Sequence, residues 1–438
     1  MTPAPRTEIA AAAFALSPDR APAYAAADGA FALYNDYRDG RAVLVRGPGR
    51  FPPEDVVAVW QDRPAGVRPL APRTAVEGYG VFTFPYGPIS MGVPEAGRFD
   101  VATYGERVLA LTPLGGYKSR RVLAGVVGAS VADAALRVER TAGNFAAAHV
   151  AAFLGAVEVA EQRSVAAVDL FARATAQELQ RVYNHVHVLA RIAEAASQNV
   201  GAAQSHALAE EMLRLQGRVF GHRWLFGALL PGGPPARLDP DGRREFAAAL
   251  PRRAAEFEEL EELFLGSRTF VDRVQGTCPV PRALAVRWGA VGPVLRACGV
   301  HWDDRLRAPT PPYDDLFLPL PDEKDGDALA RLLVRLQEVR ASFLLLEQLV
   351  DRWPGAGRVV APAEPPVAPH RGVGRVEGPS GDLVYDVAVE DGRIRSIGVR
   401  TASDANWPLF AAGMRQGVFT DFHFALESFG LVFADTDR

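Results

Sequence analysis

The sequence predicts an α+β protein in which a central bundle of long helices is flanked by sheet elements from the N- and C-terminal parts. Three patterns along the chain indicate this architecture. Short extended runs, punctuated by Pro and Gly, come first. Long segments with apolar residues at three- and four-residue spacing, typical of helices with one buried face, fill the middle. Runs with a two-residue period follow. Because strands and helices are segregated along the chain, an α+β fold is favoured.

The first 75 residues are expected to form a small module of their own. Their apolar stretches are short and broken by Gly and Pro, as at Ala42–Val45 before Arg46-Gly47-Pro48-Gly49, which is typical of a small α/β unit. Residues 76–438 are expected to form the second, larger unit. It opens with three extended runs, at Val81–Phe84, Arg98–Val101 and Arg107–Leu111.

The middle of the chain carries two long predicted helices. Apolar residues recur on one face from Val168 to Ile192. A second apolar stripe begins after Asp325, where Asp325 or Asp327 can cap the helix, and Pro354-Gly355 ends it. Helical spacing also predicts three further segments, Ala203–Leu215, Arg243–Leu265 and Pro281–Ala297.

The C-terminal part is expected to contain a β-hairpin and a short helix. A proline-rich connector at Ala361–Pro369 is expected to be extended. After it, two apolar runs flank an Asp-Gly pair, which is a strong hairpin signal. The predicted elements are strands at Asp382–Val389 and Arg393–Arg400, a turn at Glu390-Asp391-Gly392, a helix around Trp407–Met414 and a last apolar stretch at Phe429–Phe433.

Composition and charge exclude several classes of function. The net charge is −4 and the basic residues are scattered, so the chain has no electrostatic footprint for nucleic acid. No apolar run approaches the roughly 20 residues that span a bilayer. Cys278 and Cys298 do not form a CxxC pair and are too few for a thiolate cage, so both are expected to be buried. The sequence contains no P-loop, dinucleotide fingerprint or Ser-His-Asp signature.

Seven segments of the chain form an ordered set of motifs. They are Glu77–Arg121, Val138–Phe145, Glu178–His185, Gly221–Arg223 with Pro231-Gly232-Gly233, Tyr313–Leu316, Gly326–Gln348, and Val399–Pro408 with the end of the chain. In this order they resemble the large subunits of group 4 energy-converting nickel–iron hydrogenases, as in formate hydrogenlyase, and the D-type (49-kDa-type) subunit of respiratory complex I. The resemblance covers roughly residues 77–438. Residues 1–75 look like a truncated remnant of the domain, similar to the C-type subunit of complex I, that precedes some hydrogenase large subunits.

The resemblance also implies that the metal centre has been lost. The four family cysteines that hold nickel and iron fall at Ala142, Phe145, Val432 and Asp435. Only Asp435 carries a ligating atom, and one carboxylate makes no cage for a metal that requires thiolates. The arginine of the family's Pro-Arg-Gly turn is replaced by Ser380. The resemblance therefore predicts a vestigial pocket that binds no metal.

A quinone site like that of complex I is the alternative that the resemblance leaves open. The histidine implicated in holding the quinone head is replaced by Ser90, and the implicated tyrosine falls near Arg137. Both can still donate hydrogen bonds, but a proton relay at neutral pH loses its carrier. His149 lies four residues after Phe145, on the same helical face, and matches a family histidine. A core histidine donating to a backbone carbonyl is the favoured interpretation of His149.

The remaining polar candidates are expected to be structural. Glu139 and Arg140 are expected to form an ion pair beside the vestigial pocket. His185 and His187 lie two residues apart on a helix, so they face different ways and cannot share a metal, and His187 is expected to be partly exposed. His222 is expected to anchor the turn that it begins.

Together these features predict a metal-free large subunit of a complex I-like or hydrogenase-like oxidoreductase. It is expected to be cytoplasmic and peripheral on the inner face of the cell membrane. The expected partners are membrane-arm subunits and an iron–sulfur small subunit, similar to the B-type subunit of complex I, that carries the iron–sulfur clusters. The chain ends at Arg438 directly after the last motif, so no maturation peptide is expected. Two alternatives remain: a quinone-reducing protein, which a tunnel to the pocket would favour, and a soluble assembly scaffold.

Overall fold

The protein has an α+β architecture of twelve helices and four sheets in the residues described by a computed structural model, as predicted. The described residues are 6–10, 17–47, 66–231, 238–355, 357–362, 364–415 and 417–436. Parts of four predicted features lie outside them: Pro48-Gly49, Gly232-Gly233, Ala363 and Asp437-Arg438.

The N-terminal residues form a four-stranded sheet with the order β1-β4-β3-β2. Parallel pairing joins β1 to β4, and the other two pairings are antiparallel. The helical component expected for this module is not seen in the described part of residues 1–75, which leaves out 1–5, 11–16 and 48–65. The strands are β1 Thr7–Ala10, β2 Arg20–Ala25, β3 Phe31–Asp36 and β4 Arg41–Arg46.

A second four-stranded sheet contains the three extended runs predicted near residue 100, which are confirmed. Its order is β5-β8-β7-β6, and every pairing is antiparallel. The strand β5 lies before residue 75, yet it pairs with β8 of the larger predicted unit. The division of the chain into modules at residues 75 and 76 stays a prediction. The strands are β5 Arg68–Pro69, β6 Phe82–Tyr86, β7 Arg98–Tyr104 and β8 Arg107–Gly115.

The central bundle confirms the long helices predicted from periodicity. The helix α3 packs against α4 and α10, and α5 packs against α4 and α10. Asp327, not Asp325, caps α10, because its side chain accepts a hydrogen bond of 2.8 Å from the amide of Ala330. The helices of this part are α1 Val131–Val138, α2 Ala146–Glu161, α3 Ala167–Ala195, α4 Asn199–Phe220, α5 Pro240–Gly266, α6 Arg268–Val274 and α10 Ala328–Asp351. A short strand, β9 Val165–Ala166, lies between α2 and α3.

The bounds of α2 were not predicted, although His149 was placed on a helix, because alanine-rich segments give a weak amphipathic signal. This helix is buried on nearly all sides and packs against two strands of the C-terminal sheet, β11 and β12, defined below. The stretch Gly143–Glu161 is long and apolar enough to cross a membrane by length and composition, but 78% of it is buried inside the protein. A core helix has the same composition, so this stretch is accounted for by packing.

The single helix predicted over Pro281–Ala297 is wrong. Two short helices replace it, α7 Arg282–Arg287 and α8 Gly292–Arg296, and α9 Asp304–Arg307 follows. The break comes from Gly289 and Gly292, which have φ of 61° and 63°. This left-handed backbone ends a right-handed helix, and a side chain at either position would lie 2.3 Å from a carbonyl oxygen.

A three-stranded antiparallel sheet with the order β11-β12-β13 confirms the predicted hairpin. Asp391 and Gly392 both have positive φ, 51° and 69°, as a type I′ turn requires. The first strand, β11, was missed because its glycines hide its period. The strands are β10 Val359–Val360, which pairs with β9, then β11 Arg371–Gly378, β12 Gly381–Glu390 and β13 Arg393–Arg400.

Two short helices close the chain. The predicted helix at Trp407 begins five residues earlier, as α11 Ala402–Gly413, because Thr401 and Asp404 form a capping box that the prediction overlooked. The last helix, α12 Phe422–Phe429, ends at Gly430, which has φ of 64°. The predicted apolar stretch Phe429–Phe433 therefore spans a helix end and the irregular segment after it.

Candidate functional site

Two of the four positions at which the resemblance places the lost cysteines lie at a small cavity between α2, the β11–β12 turn and the C-terminal segment. Phe145 and Asp435 line this cavity together with His149 and Ser380. Its volume is about 10 Å³, roughly enough for one water molecule. The other members of the predicted pocket do not line it, so the pocket is smaller than predicted; they are Ser90, Glu139, Arg140, Ala142 and Val432.

His149 is the central polar group of this cavity. Its Nδ1 lies 2.8 Å from the hydroxyl of Tyr385, and its Nε2 lies 3.0 Å from Oδ1 of Asp435. The imidazole is completely buried, and Asp435 is 2% exposed. His149 is thus a core histidine, as favoured, but the predicted backbone carbonyl partner is wrong: both of its ring nitrogens bond side chains. The pair His149–Asp435 joins α2 to the C-terminal segment.

The C-terminal segment is held in place by packing and by backbone hydrogen bonds. The ring of Phe433 packs against Trp407 with centroids 4.5 Å apart and planes tilted by 31°, and a Cβ on Gly97 would lie 2.1 Å from the Phe433 ring. The carboxylate of Glu95 accepts hydrogen bonds from the amides of Phe433 and Ala434. These contacts pack the segment closely against the loop between β6 and β7.

The three residues predicted for a quinone pocket are not brought together. Ser90 lies in the loop between β6 and β7, and its buried hydroxyl has no hydrogen-bond partner among the described residues. Arg137 is exposed on α1 and donates a hydrogen bond of 2.6 Å to the carbonyl of Gly125. Only His149 lines the cavity. The reason is that the position equated with the tyrosine lies on an outward face of α1.

The ion pair predicted between Glu139 and Arg140 is confirmed, with Nε and Oε1 3.1 Å apart. Glu139 also accepts a hydrogen bond of 2.6 Å from the amide of Gly227, and the guanidinium of Arg140 lies 3.9 Å from the ring centre of Phe226. His222 anchors the same turn, as predicted, because its Nδ1 accepts a hydrogen bond from the amide of Trp224. These contacts attach the turn to α1.

The two histidines of α3 have separate environments, as predicted. His187 is half-buried and stacks on Tyr183 with centroids 5.9 Å apart. His185 is completely buried, and its Nε2 lies 2.7 Å from Oε2 of Glu338. Burial lowers the pKa of His185 to about 4 despite this carboxylate, so its imidazole is neutral at pH 7.

A buried charge cluster lies behind the small cavity, and sequence analysis missed it. Glu178 is at its first end: it accepts hydrogen bonds from Tyr313 (2.8 Å), Ser342 (2.7 Å) and Arg305 (3.0 Å). Arg305 also bonds both oxygens of Asp303, at 2.9 and 2.7 Å. Single removals in such a buried network are costly, because a charge is then left without its partner.

Arg296 connects the middle of this cluster. Its guanidinium donates hydrogen bonds of 2.6 Å to Glu338 and 2.9 Å to Glu377, and it lies 3.4 Å from Asp303. Through Glu338 the cluster reaches His185. The members of the cluster are Glu178, Arg181, His185, Arg296, Asp303, Asp304, Arg305, Glu338, Arg375, Glu377, Asp382 and Arg400.

The charge cluster holds the turn that carries Ser380. Arg181 donates hydrogen bonds to the carbonyls of Gly378 (2.8 Å) and Glu377 (2.5 Å) at the end of β11. Burial raises the pKa of the Glu377 carboxyl to about 8, against the attraction of Arg296. Burial likewise raises the pKa of Asp304 to about 6. Two acids of the cluster therefore titrate at much higher pH than ordinary carboxyls.

A second missed cation lies close to the small cavity. Nη2 of Arg335 is 2.8 Å from the place that a Cβ on Gly430 would occupy, and the hydroxyl of Ser380 is 3.3 Å from the same place. Nε and Nη2 of Arg335 have no hydrogen-bond partner among the described residues. Burial lowers the pKa of Arg335 to about 9. Arg335 thus places a positive charge near Ser380, the position at which the resemblance expects an arginine.

Comparisons with known proteins agree with this geometry. The profile of the family described as "Respiratory-chain NADH dehydrogenase, 49 Kd subunit" matches residues 203–372. The carbon monoxide-induced hydrogenase of Rhodospirillum rubrum is 25% identical over 359 residues, which are 82% of this chain and 99% of that protein. The D subunit of the NADH-quinone oxidoreductase of Ehrlichia canis is 33% identical over 145 residues, 33% of this chain and 37% of that protein. The chain is similar to hydrogenase large subunits and to complex I 49-kDa subunits.

Two further relatives support the family and the fold. The alpha subunit of the membrane-bound hydrogenase of Pyrococcus furiosus is 25% identical over 323 residues, 70% of this chain and 76% of that protein. A chain in the structure of the membrane-bound sulfane sulfur reductase, an archaeal respiratory membrane complex, superimposes with a TM-score of 0.75 at 21% identity. That superposition covers 82% of this chain and 99% of the other. It shows that the two chains share a fold.

The residues at the family's metal position do not fit a nickel–iron centre. Ala142, Phe145 and Val432 carry no ligating atom, and Asp435 is bonded to His149. Among the described residues, no three His, Cys, Asp or Glu side chains are grouped so as to hold a metal ion. Both cysteines are buried, as predicted, and burial raises the pKa of Cys278 to about 11, so its thiol is not ionised at pH 7.

Proposed function

We propose that this chain is a metal-free large subunit of a membrane-associated, complex I-like or hydrogenase-like oxidoreductase. In this role it couples electron transfer in an iron–sulfur partner to membrane subunits. The observation that carries the proposal is the hydrogen-bonded pair His149–Asp435, which lines a cavity of about 10 Å³ where the resemblance places the metal centre, here called the former metal position. A hydrogen-bonded side-chain pair there leaves this chain with a conformational and electrostatic role.

Membrane association is supported by the relatives. One is a membrane-bound hydrogenase subunit, and the structural neighbour belongs to a respiratory membrane complex. We therefore place this chain at the inner face of the cell membrane as a peripheral subunit. Its apolar helix α2 is buried in the core, so contact with the membrane is proposed to pass through partner subunits.

An exposed apolar surface supports docking of the iron–sulfur partner. Tyr79, Ile89 and Met91 flank β6, and Ile89 and Met91 are each 92% exposed. Glu95, at the end of the same loop, bonds the C-terminal segment at the former metal position. Exposed apolar side chains grouped on one loop are typical of protein interaction sites. This loop is where we expect the iron–sulfur small subunit to bind, and its exposure counts against the scaffold alternative.

The charge cluster supplies the element through which coupling would act. It runs from Glu178 through Arg305, Asp303 and Arg296 to Glu377, and Arg181 attaches it to the turn beside the former metal position. We propose that a change of charge in the iron–sulfur partner, docked near the former metal position, alters the protonation of Glu377, because burial raises the pKa of this carboxyl to about 8. The small volume of the cavity counts against the quinone alternative.

Purification from native membranes tests the proposal. The tagged full-length chain, solubilised in mild detergent, should be recovered with an iron–sulfur subunit and membrane subunits, as identified by mass spectrometry. Metal analysis should find iron from the partner and no stoichiometric nickel. A homo-oligomer without an iron–sulfur subunit, or one nickel per chain, would overturn the proposal.

A variant pair makes this experiment specific for the docking loop. Ile89→Ser combined with Met91→Ser should remove the iron–sulfur subunit from the purified complex, because both exposed side chains lose their apolar contact. The control Val359→Ser changes an apolar residue of β10 that is 66% exposed, and this variant should leave the complex intact. Equal recovery of the partner with both variants would contradict docking at this loop.

A further inference from the structure

A second cavity, of about 580 Å³, lies between the N-terminal sheet, α2, α3 and β11. Its volume falls in the range of small-molecule sites, and most of its wall is apolar. It shares no lining residue with the small cavity at His149. The apolar wall is formed by Leu33, Ala42, Ala151, Leu170, Pro309 and Val373, among others.

Each carboxylate in the wall of this cavity is paired with an arginine, whereas some arginine N–H groups of the wall have no acceptor among the described residues. Glu158 accepts two hydrogen bonds from Arg173, at 2.9 and 2.6 Å. The two other acids of the wall are also bonded to arginines, Glu8 to Arg46 and Glu364 to Arg6. An incoming cation would therefore find no free acid in the described wall.

Two arginines of the wall have capacity left for an anion. Arg307 is exposed at the edge of the cavity, and its guanidinium has no ion pair or hydrogen bond with any described residue, whereas its backbone amide donates to the carbonyl of Asp303. Arg375 bonds Asp304 through Nε at 2.5 Å and Asp382 through Nη2 at 2.8 Å, while its buried Nη1 has no partner in the described part of the chain. A buried guanidinium nitrogen without an acceptor is costly, so an anion near it is favourable.

We propose that this cavity binds an apolar small molecule that carries one anionic group, held by Arg307 and Arg375. The apolar part packs between β3, α2 and the Pro309 segment, and the anion lies toward the two guanidinium groups. This inference goes beyond the proposed function and does not depend on it. Arg375 and Tyr313 line the cavity and also bond the charge cluster, so the bound molecule would contact that cluster directly.

Two aromatic probes that differ in charge test the inference. The anionic probe is 8-anilinonaphthalene-1-sulfonate, and N-phenyl-1-naphthylamine has the same rings without the sulfonate. Fluorescence and calorimetric titrations of the full-length chain should give one sulfonate probe per chain. Arg307→Gln should weaken the anionic probe about tenfold, since a charge-assisted hydrogen bond is lost, and leave the neutral probe unchanged.

Two further variants complete the test. Ala308→Trp, which places a large ring in the wall, should abolish binding of both probes. Arg395→Gln removes an arginine of the distant hairpin that is 76% exposed and should change neither affinity. Thermal melts must show that each variant is folded. No stoichiometric binding to the folded wild type, an equal effect of Arg307→Gln on both probes, or undiminished binding to folded Ala308→Trp would overturn the proposal.

Discussion

At the scale of single residues, three of the positions at which the resemblance places metal ligands are buried in the core, namely Ala142, Phe145 and Asp435. A metal ligand set needs several donor atoms directed at one point, whereas His149 directs its two nitrogens at Tyr385 and Asp435 in opposite directions. The loss of the cysteines is a prediction that the resemblance makes residue by residue. The partners of His149 could not be predicted from the sequence, because Tyr385 is 236 residues away and only the fold brings it close.

We predict that His149→Ala strongly destabilises the protein. Tyr385 and Asp435 would each lose a buried hydrogen bond and the imidazole would leave a cavity, which together cost about 3 kcal/mol in the free energy of unfolding. Asp435→Asn keeps an acceptor for the imidazole and should cost about 1 kcal/mol. Urea denaturation followed by circular dichroism measures both. The control His206→Ala, at an exposed histidine of α4 that pairs with Glu194, should change stability by less than about 0.5 kcal/mol. Equal losses for His149→Ala and His206→Ala would contradict the assignment.

A pH dependence is predicted for Glu377. Burial raises the pKa of its carboxyl in the folded protein from 4.5 to about 8. The stability that the neutral carboxyl contributes is therefore complete below about pH 4.5 and is lost as the pH rises through 8. Glu377→Gln resembles the neutral form at every pH.

The melting temperature of Glu377→Gln, relative to the wild type, should therefore rise between pH 5 and pH 9. Thermal melts at half-unit intervals of pH measure this difference. Glu390→Gln, at an exposed end of β12, serves as the control and should show a constant difference over the same range. A difference for Glu377→Gln that falls or stays constant with pH would show that its carboxyl is ionised in the folded protein.

At the scale of elements, the predictions succeeded where a local signal was sufficient. The Asp-Gly turn fixed the hairpin β12–β13, and Asp327 fixed the start of α10. The strand β11 was missed because Gly372 and Gly374 interrupt its alternation. The structure explains these glycines: a Cβ on Gly374 would lie 2.0 Å from the carbonyl oxygen of Ala152 on α2. Close packing of α2 on β11 requires small residues on both, glycine in β11 and alanine in α2. Small residues give a weak periodic signal, so neither element was predicted with its bounds.

We predict that Gly374→Ala separates α2 from β11 and lowers the melting temperature markedly. The added methyl group must displace helix backbone, which typically costs about 1–3 kcal/mol or more for an overpacked site. Gly266→Ala is the matched control, because a Cβ there meets nothing within 4 Å at the exposed end of α5. It should be neutral or slightly stabilising. Differential scanning fluorimetry compares the two, and a Gly374→Ala protein as stable as Gly266→Ala would contradict the close packing.

The charge cluster shows a limit of periodicity arguments. Glu178, Arg181 and His185 recur at spacings of three and four residues on α3, and all three are buried. Polar residues at the three- and four-residue spacing of a buried helix face could have indicated a buried polar network. Their partners come from α8, α9, α10 and β11, so no local pattern could pair them. The motif around Glu178 was recognised by resemblance, but its role required the fold.

At the scale of the whole molecule, the N-terminal sheet is joined to the rest by a shared core. Ala23, Phe31 and Leu33 pack in one apolar cluster with Val373 and Val384 of the C-terminal sheet. Polar contacts cross the same boundary. The hydroxyl of Tyr24 donates to Asp386 at 3.2 Å, and Arg400 donates to the carbonyl of Ala23 at 2.6 Å. A module with this much buried contact is not expected to unfold separately from its neighbour.

We therefore predict a single cooperative thermal transition that includes both parts of the chain. Arg371 bonds Asp28 of the N-terminal sheet and Asp386 of β12, each at 2.5 Å. Arg371→Leu should lower the temperature of that one transition without splitting it, because the N-terminal sheet loses an anchor but keeps its apolar contacts. Scanning calorimetry of the full-length chain measures the number of transitions. Arg395→Leu, on an exposed part of β13, is the control and should leave the transition where it is. Two separate transitions in the wild type would mean that the first sheet folds as an independent unit and that the wall it gives to the 580 Å³ cavity is not fixed.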